Sequence, residues 1–126
     1  MAAPAASPRP APFPWALAVV LIAGTLLLFS RSLPYGFINY DDPHNLTDNP
    51  QVRAGLSWPG FAWAFIGRSD YWQPLVWLSR MLDWELFGAN ATGHRVVNLL
   101  WHAANAVLVS VIVFFKVRDT LLTLRA

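Results

Sequence analysis

Apolar residues run unbroken from Trp15 to Phe29, where every position is apolar, Gly or Thr, and Pro14 stands ready for the first helical turn. At 1.5 Å per residue the run covers about 22 Å, and it approaches a ~30 Å hydrocarbon core once Phe13, Ser30 and Leu33 are drawn in. The pattern predicts a transmembrane helix over residues 13–30. A secretory signal peptide is the competing reading, but Ser30-Arg31-Ser32-Leu33-Pro34 offers no small-x-small cleavage site. A second charge-free stretch of about twenty residues, 96–115, is closed by Lys116 and Arg118, as expected of a second span. His94, Asn98, His102 and Asn105 fall within an arc of about 80° on that helix. Polar groups at bilayer depth are costly unless they meet protein or water, so this stripe is expected to face other helices or a substrate cavity.

The region between the spans, residues 31–95, is too apolar for an ordinary loop. Trp58-Pro59-Gly60-Phe61-Ala62-Trp63-Ala64-Phe65 packs four large aromatics into eight residues, with Ser57 as a candidate N-cap and Pro59 in the first turn. Further on, Leu75, Leu78, Leu82 and Leu86 recur at helical spacing between Pro74 and a C-capping Gly88. This segment, amphipathic and rich in Trp, predicts a helix lying in the membrane interface, with a re-entrant or buried helix as the alternative. The predicted fold is therefore all-α and membrane-embedded. It has two transmembrane helices joined by a long extracytoplasmic loop with one or two interfacial amphipathic helices, and no independent soluble core. Residues 1–12 are expected to form a disordered tail, and 116–126 a second tail on the same side.

Composition agrees with a membrane class: 56% of the 126 residues are hydrophobic and 13% charged, where a soluble domain carries about 25%. Mean hydropathy is +0.39. A net charge of +2 without a Lys/Arg-rich block excludes a nucleic-acid partner. The absence of Cys removes disulfides and thiolate metal sites. Near the span ends the Lys and Arg balance favours the tails narrowly, since Arg31 and Arg95 flank the loop. Both termini are thus expected in the cytoplasm and the loop outside, in a multi-pass integral membrane protein, most simply of a bacterial inner membrane.

Candidate chemistry centres on Asp41 and Asp42, in Phe37-Ile38-Asn39-Tyr40-Asp41-Asp42-Pro43-His44, where the chain leaves the first span. Adjacent carboxylates beside a bilayer can hold a proton, a metal or a sugar hydroxyl; an inert Asp-Asp-Pro turn is the plain alternative. A divalent metal on Asp41, Asp42 and His44 is a weak reading, and no cofactor is expected. Arg53, Arg80 and Arg95 are candidates for a lipid phosphate, because guanidinium forks match phosphate oxygens; interface marking, or pairing with Asp83 and Glu85, is the alternative. Asn45-Leu46-Thr47 and Asn90-Ala91-Thr92 are glycosylation sequons by pattern.

Four blocks stand in a fixed order: Phe37-Ile38-Asn39-Tyr40-Asp41-Asp42; Asn49-Pro50-Gln51-Val52; Gln73-Pro74-Leu75; and Phe87-Gly88-x-Asn90-x-x-Gly93-His94-x-Val96-Val97-Asn98-Leu99-Leu100-x-His102-Ala103-x-Asn105-Ala106. In this the chain, over about residues 13–115, resembles the N-terminal region of GT-C-type multi-pass membrane glycosyltransferases with C-terminal tetratricopeptide repeats, the transmembrane O-mannosyltransferases and their bacterial relatives. The resemblance implies a polyprenyl-phosphate sugar as donor, a hydroxyl group, often of Ser or Thr, as acceptor, and an acidic residue of the first external loop at the active site. On that basis Asp41 is the expected base and Asp42 orients base or acceptor.

Members of that group continue through many more spans and then repeats of about 34 residues, a period this chain does not show. The expectation is an N-terminal fragment that lacks most of the catalytic domain and is inactive alone. The alternative is a non-enzymatic two-span membrane protein whose loop binds a partner subunit. Self-association or a downstream subunit would give the polar stripe its partners.

Overall fold

A computed structural model describes residues 12–67 and 71–124. The expected disordered tail lies outside them but for Pro12, as do Arg9, Arg68, Asp70 and Arg125 of the charge count. The described residues form helices and turns, with no strand among them. In chain order these are α1 (Trp15–Phe29), a 3₁₀ turn (Ser30–Ser32), a π-helical turn (Pro43–Thr47), α2 (Pro50–Arg53), α3 (Trp58–Ile66), α4 (Pro74–Phe87) and α5 (Ala91–Thr123).

Two helices are long and apolar enough to cross a membrane, α1 with its following turn, Trp15–Ser32, and α5. They lie antiparallel: Phe13 meets Phe114 edge-on with ring centroids 5.4 Å apart, and Phe29 meets His102 at 5.2 Å. That pairing sets α1 beside residues 102–114, so α5 overruns its partner at both ends. Its 33 residues span about 50 Å. The helix begins at Ala91 rather than at the predicted 96 because Asn90 caps it, the Oδ1 accepting from the Thr92 amide at 3.1 Å.

The first turns of α5 belong to a small helical cap. Val52, Ala64, Trp77 and Met81 are its buried centre, flanked by Leu46, Trp63, Leu78 and Trp84. A small buried centre thus gathers in the connecting region, of which no independent soluble core is expected. The reason lies in α4, which is apolar on two sides. Trp77 and Met81 enter the core and Trp84 packs on the same face, Met81 with 0% exposure; Leu75, Leu82 and Leu86 lie roughly opposite, with Leu75 75% and Leu86 62% exposed, while Leu78 packs against the core from the side. Leucine spacing had located the helix correctly but marked its outer face.

Local signals closed these elements as predicted. Ser57 Oγ accepts from the Gly60 amide at 3.1 Å, and Pro59 sits in the first turn of α3. Gly88 ends α4 at φ +53°, in the left-handed region where a side chain would be strained. Asn49 Oδ1 accepts from the amides of Gln51 and Val52, starting α2, a short helix the periodicity had not disclosed.

Gly93 makes the closest approach at the α4–α5 corner, where a Cβ would lie 2.4 Å from the Phe87 ring. Gly93→Ala should therefore destabilise the cap by about 1–3 kcal/mol, as overpacking does. Gly24→Ala, in α1 with nothing within 4 Å of its Cβ position, should be neutral or slightly stabilising. Near-ultraviolet circular dichroism of the Trp-rich cap during thermal unfolding in detergent measures both.

Candidate functional site

The segment leaving α1 is held by α5. Thr92 Oγ1 donates to the Leu33 carbonyl at 2.9 Å, Arg95 Nε donates to the Tyr35 carbonyl at 2.9 Å, and Arg95 Nη2 donates to the Gly36 carbonyl. Pinned there, the chain turns over the cap and delivers Asp41 and Asp42 to its rim. Asp42 Oδ2 accepts from the Ile38 amide at 2.6 Å, which closes this turn. Asp41 is the exposed carboxylate of the pair.

Beneath them lies a cavity of about 460 Å³. Asp41, Asp42, Arg80, Asp83, His94 and Asn98 border it, and Leu46, Leu75, Val76 and Trp101 complete its apolar walls. Five of the nine predicted site residues thus converge from three parts of the chain: the rim, α4 and the start of α5. Arg80 lies over the Trp77 ring, its Cζ 4.9 Å from the centroid. Its Nη1 is buried without a hydrogen-bond partner, an arrangement that asks for an anion or an oxygen. Burial works against the Arg80 charge, while Asp42 and then Asp41 support it. The guanidinium remains a cation.

His94 is buried among Phe37, Trp84 and Phe87, with ring centroids 5.5 Å, 6.0 Å and 6.3 Å away. Its Nε2 lies 2.9 Å from the Gly88 carbonyl, an acceptor only, so this nitrogen carries a proton. In the neutral ring Nδ1 is then the acceptor. Asp83 is the group that sequence reasoning missed, having been weighed only as a partner for arginine. It is 6% exposed, and burial pushes its carboxyl above the usual range, with His94 opposing. Helical spacing gave no signal, since Asp83 stands about 120° from Trp77 and about 60° from Leu86 around α4.

The other predicted residues lie elsewhere. Arg53 rests against Trp84, its Cζ 5.8 Å from the centroid, and Arg95 is occupied with the clamp. Arg95 and His102 also line a second cavity, of about 230 Å³, in the groove between α1 and α5; Asn98 borders both. Asn98, His102 and Asn105 are exposed, so within this chain His94 is the member of the polar stripe covered by protein. Among the described residues no three His, Asp or Glu side chains gather so as to hold a metal ion. The sequon at Asn90 is engaged at both ends, as a helix cap and as the Thr92 clamp.

The raised Asp83 pKa fixes a pH dependence. Because the folded protein binds this proton more tightly than the unfolded chain, its contribution to stability is full below the ordinary aspartate pKa and is lost as pH rises through the folded value. Thermal unfolding of the cap should show stability falling from mildly acidic pH upward, and Asp83→Asn should flatten that slope. Compared with protein-family models, curated proteins and solved structures, the chain matches none.

Proposed function

We propose that the cavity under Asp41 is the acidic side of a sugar-transfer site of GT-C type, taking its sugar from a polyprenyl-phosphate donor and passing it to a hydroxyl group. The observation that carries this reading is the meeting of an exposed carboxylate and a guanidinium whose buried Nη1 has no hydrogen-bond partner, in one cavity beside two helices long and apolar enough to cross a membrane. The oxygen of the incoming hydroxyl bonds to the anomeric carbon while the bond from that carbon to the phosphate oxygen breaks. Phosphate leaves with the electron pair, and the hydroxyl proton passes to Asp41. Asp42, tied to the Ile38 amide, holds the turn that aims Asp41. Arg80 meets the departing phosphate, because its partnerless Nη1 gains a charged acceptor there.

In this reading the cap rests on the outer membrane surface. Leu82 and Leu86 of α4 and the exposed Trp58 and Ile66 of α3 sit in the headgroup layer, where Trp and aliphatic side chains partition. Both termini lie in the cytoplasm. The bare flanks of α1 and α5, with Asn98, His102 and Asn105 exposed, are where further membrane helices would complete the donor's lipid-binding part. Alone, these residues supply one wall of the site.

Two measurements test the proposal. Asp41→Asn, introduced at the native locus so that any assembly is kept, should reduce sugar transfer from a labelled polyprenyl-phosphate hexose in native membranes by about 10²–10⁴-fold, the usual worth of a general base. Arg53→Gln should leave it unchanged. Transfer that survives Asp41→Asn combined with Asp42→Asn removes the base assignment. Transfer that survives deletion of the chain removes the enzyme and leaves the partner-binding alternative. For topology, a chain without native Cys suits single-cysteine labelling. Asn39→Cys should react with a membrane-impermeant maleimide in intact spheroplasts, and Lys116→Cys only after permeabilisation. The reverse pattern overturns the orientation.

A further inference from the structure

The groove between α1 and α5, of about 230 Å³, carries charge of one sign. Phe29 and Leu99 form its apolar walls, Ser32, Asn98 and His102 offer hydrogen-bonding groups, and Arg95 supplies the charge; no carboxylate borders it. The cavity under Asp41 differs in this, since three aspartates, Asp41, Asp42 and Asp83, surround its one arginine. Among the described residues Arg95 makes no ion pair either. Its Nε and Nη2 donate to the neutral carbonyls of Tyr35 and Gly36, so the clamp leaves the positive charge uncompensated and Nη1 open to an outside acceptor. Arg31, exposed in the same turn as Ser32, adds a second cation at this end of α1.

We infer that this groove seats an anionic phospholipid, its phosphate on Arg95 and the start of an acyl chain against Phe29 and Leu99. The inference does not depend on the proposed sugar transfer. A guanidinium with no acid beside it is complementary to a phosphate oxygen, and the Asn98 side-chain amide donates to a second oxygen. Basic pockets between apolar helices recognise lipid headgroups in this way. The position suits an amphiphile as well. The groove lies where the apolar run Trp15–Phe29 gives way to Ser30-Arg31-Ser32, and in a helix that crosses a bilayer such a change of composition marks the passage from hydrocarbon to headgroups. A free phosphate would meet the charge but leave the apolar walls bare. A zwitterionic lipid would bring an ammonium group for which the lining has no carboxylate. Because Arg95 also pins the segment leading to Asp41, a phosphate bound to its free nitrogen stabilises the folded cap by mass action.

The full chain, purified in detergent, is titrated with dioleoylphosphatidylglycerol, dioleoylphosphatidylcholine, undecaprenyl phosphate and glycerol 3-phosphate, and adducts are followed by native mass spectrometry. Phosphatidylglycerol should saturate at one adduct and bind at least about tenfold more tightly than phosphatidylcholine. It should also raise the midpoint of thermal unfolding of the cap. Variants must keep the clamp, so Arg95 stays. Ser32→Asp brings a carboxylate into the lining and should lower phosphatidylglycerol affinity at least about tenfold, as a like charge facing the phosphate does. Ser32→Asn, of the same shape without the charge, should not. Leu99→Trp, which fills the groove and leaves every charge in place, should lower affinity too, so the test survives a Ser32→Asp chain that fails to fold. Phosphatidylcholine bound as tightly, adducts that accumulate without saturating, or retention indifferent to these substitutions overturns the inference. Glycerol 3-phosphate competing as well as the lipid reduces the groove to a phosphate site, and a preference for undecaprenyl phosphate makes it the seat of a sugar donor's carrier; either result also overturns the phospholipid.

Discussion

The whole helical cap depends on how the start of α5 holds the chain as it leaves α1. Within the four residues that follow the 3₁₀ turn, Thr92 and Arg95 bind the carbonyls of Leu33, Tyr35 and Gly36. These contacts join residues some sixty positions apart, so they close the long loop onto its own exit and fix where Asp41 and Asp42 emerge. Arginine suits this task because its fork can meet two carbonyls at once. Arg95, expected to meet a phosphate, builds the frame that carries the carboxylates.

The corner between α4 and α5 shows the same economy of parts. Phe87, Gly88, Asn90, Gly93 and His94, a spaced block by sequence, each have one mechanical role. Gly88 turns the chain at positive φ, Asn90 caps the new helix, Gly93 lets Phe87 approach, and His94 returns a hydrogen bond to Gly88. The block is thus explained by folding before any chemistry is invoked. Of these five residues His94 borders the cavity, joined there by Asn98 one turn on.

Legibility in the sequence divided along physical lines. Signals that act within one turn, such as the caps at Ser57 and Gly88, read correctly because capping needs no tertiary partner. Long apolar runs read correctly for the same reason. The face that α4 buries was not legible, since leucines and aromatics both recur at helical spacing and hydropathy does not rank one against the other. Five site residues were chosen by residue type and did converge, but their meeting place required the clamp, a contact across most of the chain. Asp83 escaped notice because burial, which gives it interest, is decided by the packing of Trp77 and Met81 around it.

α5 runs without a break from Ala91, at the cavity, to Thr123, well past the end of α1. A straight helix of 33 residues behaves as a rigid rod, so its two ends cannot move independently. Tilting it by 10° about its middle would carry each end through about 4 Å, comparable to the width of a water molecule. His94 and Asn98 would move with it, while the rim that bears Asp41 is tied to the same rod and would follow. Whatever pushes on the far end of α5 therefore reaches the cavity as a change in its opening toward α4.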